Sequence, residues 1–580
     1  MSCSATGTWT SDTEIELTFQ RTDSDSAVVA LDTADALNPV QNLDTYSDGT
    51  VDQNTTALGT ESQTDAPADS TTDTIISDSD AGDSDSVQGL APHQHHPSDT
   101  SDAGDSDTFS MLDSATTTEG METVSDTGSD TGADTNTAGS TDTATDTGID
   151  TVHCDTDEIA FGAAYHLVGA PLLFAPTETG IGVSVVLDGG DPGQLALWVG
   201  KVGEPLAASE SMPVITIGCP HIFSVVWRTD GLQPATAYVY RIVTQSSTGP
   251  GMTLYEGSFT TALPSGAGFS FALLTDSHIG SNLSYSGQGV PEILQKIGDQ
   301  ITTAAPDFMI NLGDMVGFYD YGFNAVPPNG TVTRDAYLNY RSLLGDSIGH
   351  VPHFATIGNW EGEQGYFADD EIAWSRTARK TYLPGPAATT YSEGGSVDED
   401  YYAFTWGDAL FIVLNVETYT TSAHRLGDGD GTAEDWTLGD TQMAWLKTTL
   451  ENASSKWRFL CIHHPVGGNA GDDINSAYGR GGGRAANVGE QAVIHQLMID
   501  YGVQIFFYGH DHVFVDMVVD NIHYTLPGSA GAPWLFTSER TGYEDYIQES
   551  GWARVDVSPD SVTVTFISQD GEVLDDYVVD

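Results

Sequence analysis

Basic residues are scarce in this chain. Against 84 Asp and Glu there are only 18 Lys and Arg, a formal net charge of -66 over 580 residues. That balance argues against binding nucleic-acid backbone or anionic membrane surfaces, since both need a positive face. Long apolar runs are also missing, and no stretch approaches the roughly 20 residues that span a bilayer as a helix. Cysteine is limited to Cys3, Cys154, Cys219 and Cys461, with no CxxC spacing to suggest zinc. Cys154 and Cys219 fall in one expected domain and could pair, whereas Cys461 lies in an apolar strand as an inert thiol. The opening MSCSATGTW has neither the charged nor the apolar region of a signal peptide. The expectation is nevertheless a secreted or cell-surface protein whose leader has been trimmed, because an acidic Ser/Thr tail suits the outside of a cell.

That tail is the first part of the chain that is present in excess. Residues 1–150 contain 31 acidic residues and one basic residue, Arg21, within DT, DS and DTG repeats. Such a composition cannot bury enough apolar surface to offset chain entropy, so 1–153 is expected to be a disordered stalk, and a candidate surface tether. Thr8 to Phe19 alternates enough for one short strand, with nothing adjacent to bury it. From 154 to 264, short β-rich runs such as IGVSVVL, QLALWVG, IFSVVW and TAYVYRIV are separated by Gly, Pro and Asp. Their spacing predicts a β-sandwich. Residues 265–580 change to strands alternating with helices, which predicts a layered α/β domain with mixed sheets.

In that last region, five apolar strands end in metal-ligand chemistry. FALLTDSHIG ends in Asp276 and His278, DFMINLGD in Asp314, HFATIGNWE in Asn359, WRFLCIHH in His463 and His464, and VQIFFYGHDH in His510 and His512. In open α/β sheets, strand ends are where sites assemble. Two divalent ions about 3.5–4 Å apart can hold a bridging hydroxide and clamp a phosphoryl oxygen, and a bridging carboxylate offers one oxygen to each. Mixed N and O donors suit Mn, Fe, Zn or Co.

The ordered series DxH, GD, GN, HxP and GHxH resembles the calcineurin-like metallophosphoesterase superfamily. The sandwich before it, with GLQP leading into TAYVYRI, resembles the fibronectin III-like domain that precedes the catalytic domain in purple acid phosphatases. The resemblance implies a four-layer α/β metallophosphoesterase sandwich. It also implies one metal on Asp276, His278, Asp314 and His512, a second on Asp314, Asn359, His463 and His510, and Asp314 as the bridge. Hydrolysis of a small phosphorylated substrate by a metal-bridging hydroxide follows, with phosphomonoesters favoured. Phosphodiesters of small nucleotides or lipid head groups are the nearest alternative, and a non-catalytic surface binding module with a structural metal site is a second.

Two positions depart from the pattern. Purple acid phosphatases carry a tyrosine ligand three residues after the bridging aspartate, where this chain has Gly317; His278 takes a ligand slot instead. The histidine that usually follows the GN asparagine is Trp360, whose indole cannot act as a general acid. The proton donor is therefore expected to be His464, or His353 or His424 from a loop, unless good leaving groups need none. Trp360 could line the substrate's alcohol portion, and Glu361 is expected to orient its neighbours. The glycine-rich AYGRGGGRA offers Arg480 and Arg484 as a phosphate cradle before a helix.

Overall fold

Phe271 stacks on Phe308 at 5.2 Å and meets Phe411 edge-on at 5.1 Å, and these contacts mark where two β-sheets press face to face. The computed structural model describes residues 4–9, 15–18, 164–218, 222–246, 249–281, 289–317, 330–364, 369–419, 437–464, 489–537 and 541–580. The segment from 26 to 144, which holds most of the expected stalk, lies outside these residues.

One of the two sheets carries the parallel strands His353–Ala355, Phe308–Asn311 and Phe269–Leu274, followed by the antiparallel Gly551–Val557, Val562–Ser568 and Val573–Val579. The other runs Tyr402–Trp406, Ala409–Val413, Trp457–Cys461, Ile505–Phe507, Ile522–Pro527 and Phe514–Val519. Phe271, Ile310, Phe404, Phe459 and Phe507 fill the space between them. Strands buried on both faces read as continuous apolar runs, which is why FSFALL and FMIN show no alternation.

Helices close both outer faces. Pro291–Ala304 begins with proline, whose missing N–H costs nothing in a first turn, and it buries Leu294, Ile297 and Ile301 at helical spacing. Together with Gly330–Leu344 it covers the first sheet, while Gly439–Asn452 and Gly489–Asp500 cover the second. The result is helix, sheet, sheet, helix, a mixed α/β arrangement in four layers.

The strands between 172 and 260 form two further facing layers. Ile181, Val183, Phe223, Val225 and Trp227 on one layer meet Leu195, Leu197, Tyr240 and Ile242 on the other. The first layer is not separate from the rest of the molecule. Leu172–Phe174 pairs antiparallel with Ile181–Asp188 on one side and parallel with His353–Ala355 on the other, so that a single twelve-stranded sheet runs through. Fully buried Arg341 fastens this junction from helix Gly330–Leu344. Its guanidinium donates to Ser184 Oγ at 3.0 Å, Ser184 O at 2.9 Å and Tyr382 O at 2.7 Å.

One local expectation needs correction, and two elements are added to those expected. The lone strand over Thr8 to Phe19 is instead two, Ser4–Trp9 and Ile15–Thr18, which pair antiparallel, and Ser4–Gly7 lies against Ile215–Gly218. The hairpin Phe514–Val519 with Ile522–Pro527 and the helix Asp369–Tyr382 add elements that the apolar pattern did not announce. Among the described residues, no helix is long and apolar enough to cross a membrane.

Candidate metal centre

Parallel register places the carboxyl ends of Phe269–Leu274, Phe308–Asn311 and His353–Ala355 along one edge, and those of Ala409–Val413, Trp457–Cys461 and Ile505–Phe507 along another. Where the chain leaves these strands, its backbone turns left-handed. Asp276 (φ 55°), His278 (φ 51°), Asp314 (φ 53°), His510 (φ 76°) and His512 (φ 53°) all have positive φ. Non-glycine residues rarely adopt that region, at a cost of order 1–3 kcal/mol each, and such strain gathers where function requires a particular geometry. It breaks strand alternation, so that Asp276 and His278 turn toward one point. Backbone bonds hold the turns: Asp276 N–H to Gly313 O at 3.0 Å, His278 N–H to Asp314 O at 2.9 Å and Ala532 N–H to Asp276 O at 2.9 Å.

The side chains converge in two linked groups. Ligand atoms of Asp276, His278, Asp314 and His512 lie within 4.8 Å of one another. Asp276 Oδ1 is 3.2 Å from His512 Nε2 and 3.6 Å from His278 Nε2. Asp314 Oδ2 stands between the halves, 3.4 Å from His278 Nε2 and 3.1 Å from His463 Nε2. In the second half, Asn359 Oδ1 lies 3.2 Å from His463 Nε2 and 3.1 Å from His510 Nδ1.

The donor set fits metal on its own chemistry. Asp276 Oδ1, Asp314 Oδ2 and both ring nitrogens of His278 are buried without a hydrogen-bond partner. Such groups cost free energy unless a cation or proton satisfies them. The opposite atoms are anchored: Asp276 Oδ2 accepts from Thr275 Oγ1 at 2.7 Å and from His510 N–H at 3.0 Å. The Nδ1 atoms of His463 and His512 donate to Leu312 O at 2.8 Å and Trp534 O at 2.9 Å, which turns both Nε2 lone pairs to the cluster.

The electrostatics agree. Burial alone would depress the His463 imidazole, but Asp314, Asp276 and Glu417 outweigh it and push it up to about 10. Burial would raise the Asp276 carboxyl, yet His512, His278 and His463 hold it well below the usual range. Burial and then Asp314 raise Glu361 to about 8. The carboxylates around His463 thus favour positive charge in the pocket, which a proton on that imidazole or a bound cation can supply.

Glu361 orients the loops, as expected. Its carboxylate accepts from the N–H groups of Gly358 at 2.5 Å, Asp314 at 2.9 Å and Met315 at 2.6 Å. The glycines of the GN and GH motifs are there for space. A Cβ on Gly358 would lie 2.2 Å from Asp314 Oδ1, and one on Gly509 would lie 2.2 Å from Thr275 Oγ1. Gly358→Ala should displace Asp314 and weaken divalent-metal binding about 10- to 100-fold, the effect of 1–3 kcal/mol of overpacking. Metal titration of the purified variant checks this, and wild-type affinity would contradict it.

Trp360 is anchored through its backbone, its N–H donating to Asp314 Oδ1 at 2.7 Å, while its ring packs 4.7 Å from that of His278. At Gly317, a Cβ would lie 3.1 Å from His278 O and 3.4 Å from the Trp360 ring. Trp534 completes this side at 5.3 Å from both His278 and His512, with Phe536 4.8 Å from His512.

The three histidines expected as proton donors separate here. His464 lies beside His463, its Nδ1 in contact with the Glu417 carboxylate. His353 is not on a loop: it starts a strand, its Nε2 is 3.1 Å from the Tyr340 hydroxyl, and burial depresses its imidazole to about 3. His424, like the expected phosphate cradle of Arg480 and Arg484, lies outside the described residues. Glu417, Trp534 and Phe536 were not singled out from the sequence. Only Glu417 had a signal, its place just beyond the apolar run ALFIVLN.

Residues 269–514 match the family model described as calcineurin-like phosphoesterase. The chain is similar to tartrate-resistant acid phosphatase type 5 of Oryctolagus cuniculus, at 22% identity over 293 residues, 48% of this chain and 81% of the relative. Its fold is similar to a purple acid phosphatase isolated from yellow lupin (Lupinus luteus) seeds, with a TM-score of 0.52 at 14% identity, covering 71% of this chain and 74% of that one.

Proposed function

We propose, on the match of residues 269–514 to the calcineurin-like phosphoesterase family model, that this protein hydrolyses phosphoric esters with two divalent cations, small phosphomonoesters being the favoured substrates. The observation that carries the reading is the pair of buried carboxylate oxygens, Asp276 Oδ1 and Asp314 Oδ2, which lack hydrogen-bond partners and face His278, His463 and His512.

When bound, the two ions would activate water and act as a sink for phosphoryl charge. Asp276, His278, Asp314 and His512 would hold one, and Asp314, Asn359, His463 and His510 the other. Asp314 would set their separation. Neutral imidazole and amide donors keep the loaded pocket positive despite the acidic surface, so a phosphate is drawn in. Mn, Fe, Zn and Co all suit these donors. Gly317 stands where a tyrosinate site would have its tyrosine ligand. Trp360 gives the pocket an apolar wall on the His278 side, against which the alcohol portion of a substrate would rest. Arg480 and Arg484 would anchor phosphate oxygens through guanidinium forks.

The facing layers between 172 and 260 are read as a fibronectin III-like positioning module, and residues 1–153 as an acidic stalk of a secreted or surface-attached protein. The resemblance to acid phosphatases supports monoesters over diesters. The test is metal analysis of the purified protein with a panel of phosphomonoesters and phosphodiesters. Two equivalents of metal, and monoester turnover that chelation abolishes and metal restores, are expected. Preference for diesters would move the substrate class, and no turnover of either class with Mn, Fe, Zn or Co supplied would sink the enzymatic reading.

A further inference from the structure

We infer that His464, held in place by Glu417, is an additional ligand of the second metal, beside His463, His510 and Asn359. This rests on the two-metal reading above.

Adjacent residues on an extended strand face opposite ways, so a strand continued past Cys461 would not bring His463 and His464 into a shared site. At the end of Trp457–Cys461 they do share one. A ligand atom of His464 lies within 4.8 Å of those of His463 and His510. The His464 ring is 4.0 Å from the His510 ring, tilted by 37°, and 5.2 Å from the His463 ring, while only 3% of the residue is exposed. Three imidazole ligand atoms this close to one another form the kind of cluster that holds a metal ion. A shared cation accounts for the crowding.

Outer contacts point the same way. A metal-binding histidine commonly gives one ring N–H to an acceptor and the other nitrogen to the metal. His463 and His512 follow this pattern with carbonyl acceptors, and His464 follows it with Glu417, so that Nε2 becomes its ligand atom. Glu417 is itself fully buried, and its N–H donates to Asn415 Oδ1 at 2.9 Å, which fixes the carboxylate just beyond strand Ala409–Val413.

Charge gives the pair a purpose. The first half has Asp276 to itself and shares Asp314. The second half, as read from the motif series, has only its share of Asp314 and three neutral donors. Glu417 acting through His464 supplies a second carboxylate one ring away from the metal, which evens the affinities of the two positions. His464 is then a ligand and Glu417 a positioning residue.

The full chain, stripped with a chelator and titrated with Co2+ or Zn2+, tests this. Wild type should show two equivalents. His464→Ala should weaken one of them by about 10- to 100-fold, the scale of a lost metal contact or its outer partner, and leave the other unchanged. It should also change the visible spectrum of the Co2+ bound in that position. Glu417→Gln, close in shape to the native side chain, should weaken the same equivalent by about tenfold and guards against a folding failure of the alanine variant. Wild-type affinities and Co2+ spectra in both variants would overturn the inference. So would a loss of turnover with metal binding intact, which would assign His464 to proton transfer. If wild type bound fewer than two equivalents, the two-metal reading itself would fall.

Discussion

Asp314→Asn is expected to lower kcat by about 10^3-fold or more and to reduce metal content, with the fold kept. The loss corresponds to several kcal/mol of the charge stabilisation that metal ions supply to phosphoryl transfer. Asp314 Oδ1 accepts the Trp360 N–H at 2.7 Å, so an amide would keep its carbonyl oxygen on that side. Its NH2 would then occupy the position of Oδ2, 3.4 Å from His278 Nε2 and 3.1 Å from His463 Nε2. Donor hydrogens would point where both cations need an acceptor, and one negative charge would be gone. Single-turnover kinetics with metal analysis decide the matter. Activity within tenfold of wild type at full metal occupancy would remove Asp314 from the bridging position, and with it the proposed mechanism.

The second large effect concerns stability. Arg341→Ala should cost about 3–5 kcal/mol, because it strips donors from buried carbonyls and leaves a guanidinium-sized void. Among the described residues, this guanidinium bonds to carbonyls and the Ser184 hydroxyl rather than to a carboxylate. Burial accordingly lowers its basicity to about 9. Arg341→Lys should recover only part of the loss, since an ammonium cannot reproduce the planar fork. Denaturant unfolding measures both variants. A change below about 1 kcal/mol for the alanine variant would mean that the junction is held mainly by the sheet itself, since only then would the lost bonds be worth no more than one ordinary net hydrogen bond.

Much of the candidate site was legible because the residues that gather there are side chains of unusual chemistry at regular places. Asp276, Asp314, Asn359, His463 and His510 each follow an apolar strand, and strand ends in parallel register meet. Glycine before Asp314, Asn359 and His510 was readable as motif, although the space that a Cβ would need belongs to the folded state. What stayed hidden depends on contacts between distant segments. Trp534 sits 256 positions after His278 in a stretch with no strand-end motif, and only tertiary packing brings its ring to the ligands. Glu417 looked like any acid after a strand until His464 turned to meet it. The three-residue strand Leu172–Phe174 is too short to show a period, yet it joins the sheet across the expected boundary at 264.

That short strand also decides what the molecule can survive losing. Without residues before 264, His353–Ala355 would become an open sheet edge, its N–H and C=O groups facing water beside Phe354, and such edges recruit other chains. Ser184 and Ala170 would leave with the same piece, and the Arg341 guanidinium would keep, among the described residues, only its bond to Tyr382 O. The β-layers ahead of the half that carries the candidate metal centre are therefore expected to guard it against self-association.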